Sequence, residues 1–328
     1  MSRKAKLLSY HDIDKCISRA EILNTVEVVF KEQNGNNLII PPKLHLDMSG
    51  AGKKSWLNAL PCYVGFQDIA GLKWVGGFDD NKNKGLPYIM GLIILADPDT
   101  GEFVAVIDGA NITNQRTGAT AAVTIKHTAC QGVKTVAFIG AGVQNRMTMR
   151  FLHIVYDDLE IRVSDINPAA CQAFKLEMES ELGWEVKVMD DNSQAAQGAD
   201  VIVTATQADA ALVMDDWVKP GATAVSLGSY QEFDEQFVLT ADKIIVDDWA
   251  QCSHRGELKK LAERGSIDEK NIYAHMSEIV AGLKPGRTSQ NERILTHLVG
   301  LGVHDIAVSY KAWKQAEKLG IGKEFSFI

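Results

Sequence analysis

The stretch VAFIGAGVQ, residues 136–144, places a pair of glycines between an apolar run and a segment of helical character. This arrangement is typical of phosphate binding: Gly140 permits a tight turn, and Gly142 lets the backbone approach a pyrophosphate at the helix N-terminus. Asn145 stands where the G-x-G-x-x-G pattern has its third glycine, which serves helix–strand packing more than phosphate contact. We therefore expect a dinucleotide site, with an ordinary strand–turn–helix as the alternative.

Asp165 is the second residue of interest, because it follows the next predicted strand, Glu160–Ser164. A carboxylate at that position accepts hydrogen bonds from both ribose hydroxyls of NAD. It also repels a 2′-phosphate, and residues 164–168 contain no arginine that would bind one. The pattern predicts NAD(H) rather than NADP(H) as the cofactor.

The length, charge and composition of the chain argue against several classes of protein. The chain has 328 residues, a net charge of −8 and a pI near 5.5, which argues against nucleic-acid binding. No apolar run reaches the roughly 20 residues that span a membrane, and the first residues lack the apolar segment of a secretory signal. The five cysteines are scattered and indicate free thiols in a reduced, cytoplasmic protein. The eight histidines form no metal-binding pattern, so no metal is expected.

The central part of the chain has the α/β rhythm that the glycine turn requires. Apolar strand candidates alternate with helical segments, and helices should begin near Val143 and at Pro168. This alternation predicts a parallel, doubly wound Rossmann sheet over residues 126–294. The strand candidates are Val136–Ile139, Glu160–Ser164, Trp184–Val188, Val201–Ala205, Ala222–Leu227 and Lys243–Val246.

The first 125 residues predict a different architecture. A leading helix, Ser18–Gln33, precedes extended segments linked by turns rich in Gly, Asn and Asp, and the turn DPDTG is a hairpin signal. After Arg287 the sequence indicates helix again, most clearly over Ile306–Leu319. We expect residues 1–125 and 295–328 to form one discontinuous α+β domain. The extended segments are Leu57–Val64, Ala70–Gly76, Tyr88–Asp97 and Phe103–Asp108.

Longer motifs are spread over nearly the whole chain: GLKWVGGF (71–78), LADPDTGEFVAVIDGANITNQRTGATAA (95–122), FIGAGVQ (138–144), ADVIVTAT (199–206) and GRTSQNERILTHLVGLGVHDIAVSYKAW (286–313). Together they resemble the ornithine cyclodeaminase/mu-crystallin family, and NxRTGA followed by GAGxQ is their most specific feature. The resemblance implies a Rossmann domain and a discontinuous substrate domain that also builds a homodimer. Members include cyclodeaminases, enzymes that form alanine by reductive amination, imine reductases and ligand-binding mu-crystallins.

The resemblance also implies that three cations bind the substrate. Arg116, in TNQRTGAT, would lie near the cofactor and bind the substrate carboxylate through two parallel hydrogen bonds. An apolar helix is expected to begin directly after it, at Thr117-Gly118-Ala119. Lys73, in GLKWVGGF, matches the family's substrate lysine, and its apolar neighbours indicate burial, which makes its proton easier to release. Lys43 stands where many relatives carry arginine. Lysine keeps the positive charge but not the paired hydrogen-bond donors of arginine. We expect His45 to be structural and Asp305 to cap the last helix.

The candidate cofactor contacts come from the carboxyl ends of the predicted strands, where such sheets bind ligands, and from the family's motifs. Ser226–Ser229 would approach the nicotinamide, and Gly302 would bring the backbone of the final segment close to the same ring. The full set is Arg116, Thr117, Gly140, Ala141, Gly142, Val143, Gln144, Asp165, Ile166, Thr204, Ala205, Thr206, Ser226, Leu227, Gly228, Ser229 and Gly302.

The loop VSLGSYQEFDE, residues 225–235, departs from the cyclodeaminase pattern. Cyclodeaminases carry an acidic residue soon after the glycine pair of this loop, whereas Tyr230 stands there in this chain, and Glu232 and Asp234 are expected to begin the next helix. We therefore predict an NAD(H)-dependent reductase that delivers hydride to an imine, or to a 2-oxo acid plus amine, next to a carboxylate. The alternatives are an ornithine or lysine cyclodeaminase and a non-catalytic protein that binds NAD and a small ligand.

Overall fold

The computed structural model describes residues 4–35, 37–208 and 210–327 of the chain. It has two compact units, one of Met1–Arg116 with Leu301–Ile328 and one of Thr117–Gly300. The boundaries expected at 125/126 and 294/295 thus fall at 116/117 and 300/301, and residues 1–3, 36, 209 and 328 of the expected domains lie outside the described residues. In the described part of the chain, no helix is long and apolar enough to cross a membrane.

The elements are numbered in chain order. The strands are β1 (Lys4–Leu8), β2 (Leu38–Ile39), β3 (Leu44–Asp47), β4 (Ser55–Val64), β5 (Ile69–Phe78), β6 (Ile89–Ala96), β7 (Phe103–Asp108), β8 (Thr135–Ile139), β9 (Glu160–Ser164), β10 (Val186–Val188), β11 (Val201–Thr204), β12 (Thr223–Leu227), β13 (Lys243–Val246), β14 (Ala274–His275), β15 (Ile294–Leu298) and β16 (Lys323–Ser326). The helices are α1 (Tyr10–Cys16), α2 (Arg19–Glu32), α3 (Gly109–Thr128), α4 (Val143–Val155), α5 (Pro168–Leu182), α6 (Asn192–Ala196), α7 (Glu235–Thr240), α8 (Trp249–Cys252), α9 (Lys259–Glu263), α10 (Met276–Val280) and α11 (Gly302–Leu319).

The first unit is built on a mixed sheet in the order β16-β1-β7-β6-β5-β4-β2, with β3 also paired to β4. Strands β1 and β7 are parallel, and the long strands β4, β5 and β6 are antiparallel. One face of the sheet is covered by α11, which also packs on α2. Helix α2 begins at a capping box, in which Ser18 and Glu21 satisfy each other's backbone N–H groups.

The second unit contains a sheet whose strands all run parallel, in the order β10-β9-β8-β11-β12-β15-β13-β14. Every residue of β11, β12, β13 and β15 is buried, as expected for a parallel sheet covered on both faces. The chain runs outward from β8 through β9 to β10 and then returns to β11 on the other side of β8. This reversal is the topological switch point at which doubly wound sheets bind ligands.

Most predicted elements are confirmed. The strands Phe103–Asp108, Glu160–Ser164 and Lys243–Val246 match residue for residue, and α5 begins at Pro168 with Asn167 as its N-cap. The DPDTG turn joins two antiparallel strands, β6 and β7. The first unit is the mixed sheet that the turn-rich half of the chain predicts, and the second is the Rossmann sheet.

The helical prediction after Arg287 is confirmed for Ile306–Leu319, which lies in α11, but it is wrong for Ile294–Leu298, which forms β15 between β12 and β13. Its two polar residues hide the strand pattern, but both find partners in the sheet. The Thr296 hydroxyl donates to the Ala224 carbonyl at 3.1 Å, and His297 Nδ1 lies 3.3 Å from the Ser226 hydroxyl. A buried polar side chain with a hydrogen-bond partner is tolerated in a strand of this kind.

Two helix boundaries also differ from expectation. Helix α3 begins at Gly109, so Arg116 lies within it and not before it. Helix α11 begins at Gly302 with Leu301 as its N-cap, so Asp305 lies inside the helix and is not its cap. Both corrections concern residues of one cluster, described next.

Candidate functional site

Three charged side chains meet in the interior of the first unit. Asp305 Oδ1 accepts hydrogen bonds from Lys73 Nζ at 2.8 Å and from Arg116 Nε at 2.9 Å. The side chains are almost entirely buried, with 2% of Lys73, 8% of Arg116 and none of Asp305 exposed. We call these three residues the cation cluster. The sequence brought Lys73 and Arg116 together as substrate contacts, and the structure places them on the same carboxylate oxygen.

The position of Asp305 depends on a close approach of α11 to the sheet. A Cβ atom on Gly302 would lie 3.0 Å from Leu60 Cβ of β4, and one on Gly71 would lie 2.6 Å from Ile306 Cδ1. Leu60 is the cross-strand partner of Lys73, so both glycines lie next to the cluster. Gly302, predicted as a cofactor contact, is thus buried against β4 in the first unit.

A polar network fixes the part of α3 that carries Arg116. The Gln115 amide donates to Asp14 Oδ1 at 3.1 Å and to Asn111 Oδ1 at 2.6 Å. Asn111 in turn donates to Asp14 Oδ1 at 3.0 Å and to the Tyr10 carbonyl at 2.8 Å. These bonds join α3 to α1. They fix the part of α3 around Gln115, from which the Arg116 side chain extends.

Burial and charge set the protonation of the cluster. Burial lowers the pKa of Lys73 to about 7; Arg116 and Lys43 push in the same direction, and Asp305 opposes them. Burial alone would raise the pKa of Asp305, but the Arg116 and Lys73 charges outweigh it and hold that pKa below its usual range. Asp305 is therefore ionised at neutral pH, whereas Lys73 is close to its midpoint.

Two uncharged groups border the cluster. Burial, followed by the Arg116 charge, lowers the pKa of His304 to about 3, so this imidazole is neutral and packs edge-on against Phe30. Burial, followed by the Asp305 charge, raises the pKa of the Cys62 thiol well above its usual range. Neither group carries charge near pH 7, so they add no counter-charge to the cluster.

Lys43 and His45 stand at the margin of the cluster. Lys43 is half-buried, and its charge contributes to the lowered pKa of Lys73. His45 is exposed, and its Nδ1 lies 2.8 Å from Asn58 Oδ1 on β4. His45 thus contacts β4, and its structural role stays a prediction.

In the second unit, the predicted cofactor residues gather at the carboxyl edge of the parallel sheet. Ser164, Ile139, Thr204 and Ser226 form one row in register across β9, β8, β11 and β12. The turn and loop residues of the prediction follow directly after this row. They are Gly140, Ala141, Gly142, Asp165, Ile166, Ala205, Thr206, Leu227, Gly228 and Ser229.

The glycine turn is tight and leaves the N-terminus of α4 open. Gly140 has φ of +96°, and a Cβ atom there would lie 2.9 Å from Thr206 Cγ2, so both conformation and space demand glycine. Gly142 is the N-cap of α4 and has open space around its Cα, with no side chain to cap the helix. Asp165 Oδ2 accepts the Ala141 N–H at 2.7 Å, which ties the acidic residue to the turn.

Asn145 replaces the third glycine with a specific contact. Its fully buried amide donates to the carbonyls of Ile139 at 3.0 Å and of Gly140 at 2.7 Å. These carbonyls belong to the end of β8 and to the turn itself. Where a glycine would allow close packing, this asparagine instead bonds α4 to the turn.

Two further predicted cofactor residues, Val143 and Gln144, begin α4 directly after this turn, and Thr117 lies in α3. Val143 and Ile166 expose much of their apolar side chains, and Thr117 and Gln144 are half-buried. Among the described residues, no group of three or more His, Cys, Asp or Glu side chains is arranged to hold a metal ion.

The chain is similar to known proteins over nearly its whole length. The sequence profile of the ornithine cyclodeaminase/mu-crystallin family matches residues 3–318. The chain belongs to this family. It is 32% identical to the alanine dehydrogenase of Archaeoglobus fulgidus over 325 residues, which cover 98% of each chain.

Two solved structures of the family superpose closely on this chain. One is the Δ1-pyrroline-2-carboxylate reductase of Thermococcus litoralis in complex with NADH and L-proline, with a TM-score of 0.92, 31% identity and coverage of 97% and 99% of the two chains. The other is an archaeal alanine dehydrogenase dimer with bound NAD, with a TM-score of 0.93, 31% identity and coverage of 99% and 100%.

In this member of the ornithine cyclodeaminase/mu-crystallin family, buried carboxylates lie in and beside the loop after β12. Asp234 caps α7, but Glu232 does not begin that helix: it is buried, and its Oε1 accepts the Thr206 N–H at 2.8 Å. Glu257 accepts the Ser226 hydroxyl and the N–H groups of Glu232 and Phe233. Burial raises the pKa of Glu232 to about 7 and that of Glu257 to about 8.

The sequence did not predict the contacts of four buried residues of this family member: Asp305, Glu232, Glu257 and Asn145. The partners of Asp305 lie far along the chain, and Arg116 is separated from it by 189 positions. Asn145 was visible as a departure from the glycine pattern, but its side-chain direction was not. For the two glutamates, the sequence contains no signal that predicts burial.

We expect Asn145→Ala to destabilise the second unit by about 1–3 kcal/mol, because two buried carbonyls lose their side-chain donors. Urea unfolding measures this change. Thr148→Ala is the matched control on the same helix, since the Thr148 hydroxyl donates only to the Gln144 carbonyl one turn earlier. Equal losses of stability in the two variants would contradict the role given to Asn145.

Proposed function

We propose that this protein is an NAD(H)-dependent oxidoreductase that reduces a carbon–nitrogen double bond next to a carboxylate, giving an amino acid, and catalyses the reverse oxidation. The imine is either cyclic or formed from a 2-oxo acid and an amine. The observation that carries the proposal is the buried cation cluster in a chain that also has the dinucleotide turn. The relatives named above, an alanine dehydrogenase and a pyrroline-2-carboxylate reductase, act on substrates of this class.

The charge of the cluster supports an anionic substrate. Two cations, Lys73 and Arg116, share one carboxylate, Asp305, and Lys43 adds further positive charge. A substrate carboxylate would add a second anion beside these cations. The guanidinium of Arg116 offers paired N–H donors that match a planar carboxylate, and its Nε donates to Asp305.

Lys73 is the group best suited to supply the proton. A lysine whose pKa is near neutrality gives up a proton more readily than an exposed one, and general acids work best when their pKa is near the operating pH. In the reduction, Lys73 donates a proton from Nζ to the substrate nitrogen and is then neutral until it takes a proton from solvent. Arg116 and Lys43 hold the carboxylate and orient the carbon next to it.

The second unit fits the dinucleotide. The open N-terminus of α4 after Gly142 suits a pyrophosphate, and the Asp165 carboxylate suits the ribose hydroxyls beside the glycine turn. When bound, the nicotinamide supplies or accepts the hydride. Exposed Ile166 and Val143 offer apolar surface next to the phosphate and ribose positions. Ser226–Ser229 are proposed to line the nicotinamide position.

The cyclodeaminase alternative is less well supported. Loss of ammonia would need an acidic group after Gly228, where Ser229 and Tyr230 stand. The nearby Glu232 carboxyl is buried and accepts a backbone N–H from Thr206, so it is directed into the second unit. A non-catalytic binding protein would need no proton donor, whereas Lys73 is held in a buried ion pair suited to that role.

We also propose that the protein forms a homodimer through the uncovered face of the first sheet. Leu44, Ala59, Trp74 and Leu92 make one row across β3–β6, on the face opposite Lys73. Leu44 is 71% exposed, Trp74 44% and Leu92 52%. A second copy of this chain would cover such an apolar face, and the archaeal alanine dehydrogenase forms a dimer.

A cytoplasmic location is the last part of the proposal. All five cysteines are free, and four of them are buried, which suits a reducing compartment.

The reaction is tested by following NADH oxidation with Δ1-pyrroline-2-carboxylate and with 2-oxo acids plus ammonia or methylamine. We expect Arg116→Ala and Lys73→Met each to lower kcat/KM by about 100-fold or more, because carboxylate binding or proton donation is lost. Lys6→Met is the matched control, since Lys6 is a buried lysine of the same unit that pairs with Glu317 away from the cluster. Full activity in both cluster variants would refute the assignment. Ammonia release from ornithine without net NADH change would favour the cyclodeaminase.

Coenzyme choice follows from Asp165. We expect the wild-type kcat/KM to favour NADH over NADPH by more than about tenfold, because the carboxylate repels a 2′-phosphate. Asp165→Asn keeps an oxygen that can accept a backbone N–H from the turn but removes the charge, so the preference should shrink. Steady-state kinetics with both coenzymes measure it, and an NADPH preference in the wild type would contradict the prediction.

Leu92→Glu should shift the homodimer towards monomer, because it places a charge on the apolar face. Sedimentation velocity over a range of protein concentrations measures the change. Leu176→Glu is the control, since Leu176 is also exposed but lies on α5 of the second unit. A monomeric wild type, or a Leu92→Glu dimer as stable as that of Leu176→Glu, would refute this interface.

A further inference from the structure

We propose that Asp305 is the positioning residue of the cation cluster: through one carboxylate oxygen it holds Lys73 and Arg116 side by side and keeps Lys73 charged for carboxylate binding and proton donation. This inference rests on the proposed function and deepens it. Asp305 acts through the two cations; it does not itself touch the substrate.

The geometry gives Asp305 control of both cations at once. Its Oδ1 lies 2.8 Å from Lys73 Nζ and 2.9 Å from Arg116 Nε, so the two donors are held close together by a single atom. Oδ2 is buried and has no hydrogen-bond partner among the described residues. The carboxylate is carried by a helix packed tightly on the sheet at Gly302 and Gly71, which limits its movement.

The charges around Lys73 show why an anion is needed there. Among the described residues, the charged groups that act on Lys73 include Asp305 of α11, Arg116 of α3 and Lys43 before β3, and the pKa values of His304 of α11 and Cys62 of β4 respond to Asp305. Of these groups, His304 and Cys62 are uncharged near neutrality, and Arg116 and Lys43 are cations. Asp305 is therefore the one anion of this group. Without it, Lys73 would face like charges in a buried site and would lose its proton at lower pH.

The catalytic consequence concerns the proton. In the reduction, the Nζ–H bond of Lys73 breaks as an N–H bond forms at the substrate nitrogen. A bound nicotinamide would supply the hydride for the new C–H bond, and the π electrons of the C=N bond would pass to the nitrogen. Lys73 can take this part only when it enters the reaction as an ammonium. Asp305 favours that state and also aligns Nζ, whereas the substrate carboxylate, once bound, adds a second anion that favours it further.

The test measures the affinity of the wild type and of Asp305→Asn for pyrrole-2-carboxylate, a planar carboxylate without a reducible C=N bond, between about pH 6 and pH 9. In the wild type, affinity should fall as pH rises through the pKa of Lys73, because the ammonium is lost. In Asp305→Asn the same fall should occur at least about one pH unit lower, since the stabilising anion is gone. The pH limb of kcat/KM for imine reduction should move in parallel.

Two control variants separate positioning from general damage. Asp247→Asn removes another buried aspartate, which accepts the Gly300 N–H in the second unit; it should lower stability and leave the pH limb in place. Asp305→Glu keeps the charge but lengthens the side chain in a fully buried site. It should keep the limb near its wild-type pH while kcat/KM falls, because Lys73 and Arg116 are displaced.

The outcomes are distinct. An unshifted limb in Asp305→Asn, or wild-type kcat/KM in Asp305→Glu, overturns the inference even if imine reduction is established. Conversely, a shifted binding limb in a protein that reduces no imine supports the inference and refutes the proposed reaction. Asp305→Asn is used only if it accumulates as folded protein, judged by NADH binding. If it does not, Asp305→Glu decides the question: a pH limb near that of the wild type with a lower kcat/KM supports the inference.

Discussion

The shared carboxylate oxygen of Asp305 is the interaction on which the candidate site depends. Lys73 and Arg116 come from a strand and a helix that are far apart in sequence, and two buried cations do not approach each other without an anion between them. The fold provides that anion by packing α11 onto β4 and β5 at two glycines, Gly302 and Gly71. The result is a rigid, positively charged site at which a carboxylate would bind with little reorganisation.

In the second unit, the register of the parallel strands positions the loops that carry the predicted cofactor residues. The parallel sheet places Ile139, Ser164, Thr204 and Ser226 in one row, so the loops that follow share one edge. Inside that edge, buried polar groups hold the loops: Asn145 bonds the glycine turn, and Glu232 and Glu257 bond the loops after β11 and β12. Each of these contacts satisfies backbone groups that would otherwise be buried without partners.

The sequence predicted the sheet of the second unit and the antiparallel strands of the first, because apolar periodicity and turn residues are local signals. It failed where local signals mislead. Strand β15 carries Thr296 and His297, whose polarity hides a fully buried strand; their partners include the Ala224 carbonyl and the Ser226 hydroxyl of β12 and the Arg255 carbonyl. The early start of α3 has the same origin, since its first turns contain Asn111 and Gln115, polar residues that bond to α1.

For the candidate site, the sequence identified the residues that would contact ligands but not those that hold them. Lys73 stands out because a charge between apolar neighbours is unusual, and Arg116 because it lies in the family's motif; both side chains are buried. Asp305 gave no such signal: an acid near a helix start is ordinarily a cap, and its true partners lie 189 and 232 positions away. A residue that binds a ligand has to match the chemistry of that ligand, and a sequence motif can show this match. A residue that positions it, such as Asp305, has only to fit the packing around it. The second kind of constraint exists only in three dimensions, which is why the variants of Asp305 test the site more severely than those of the cations themselves.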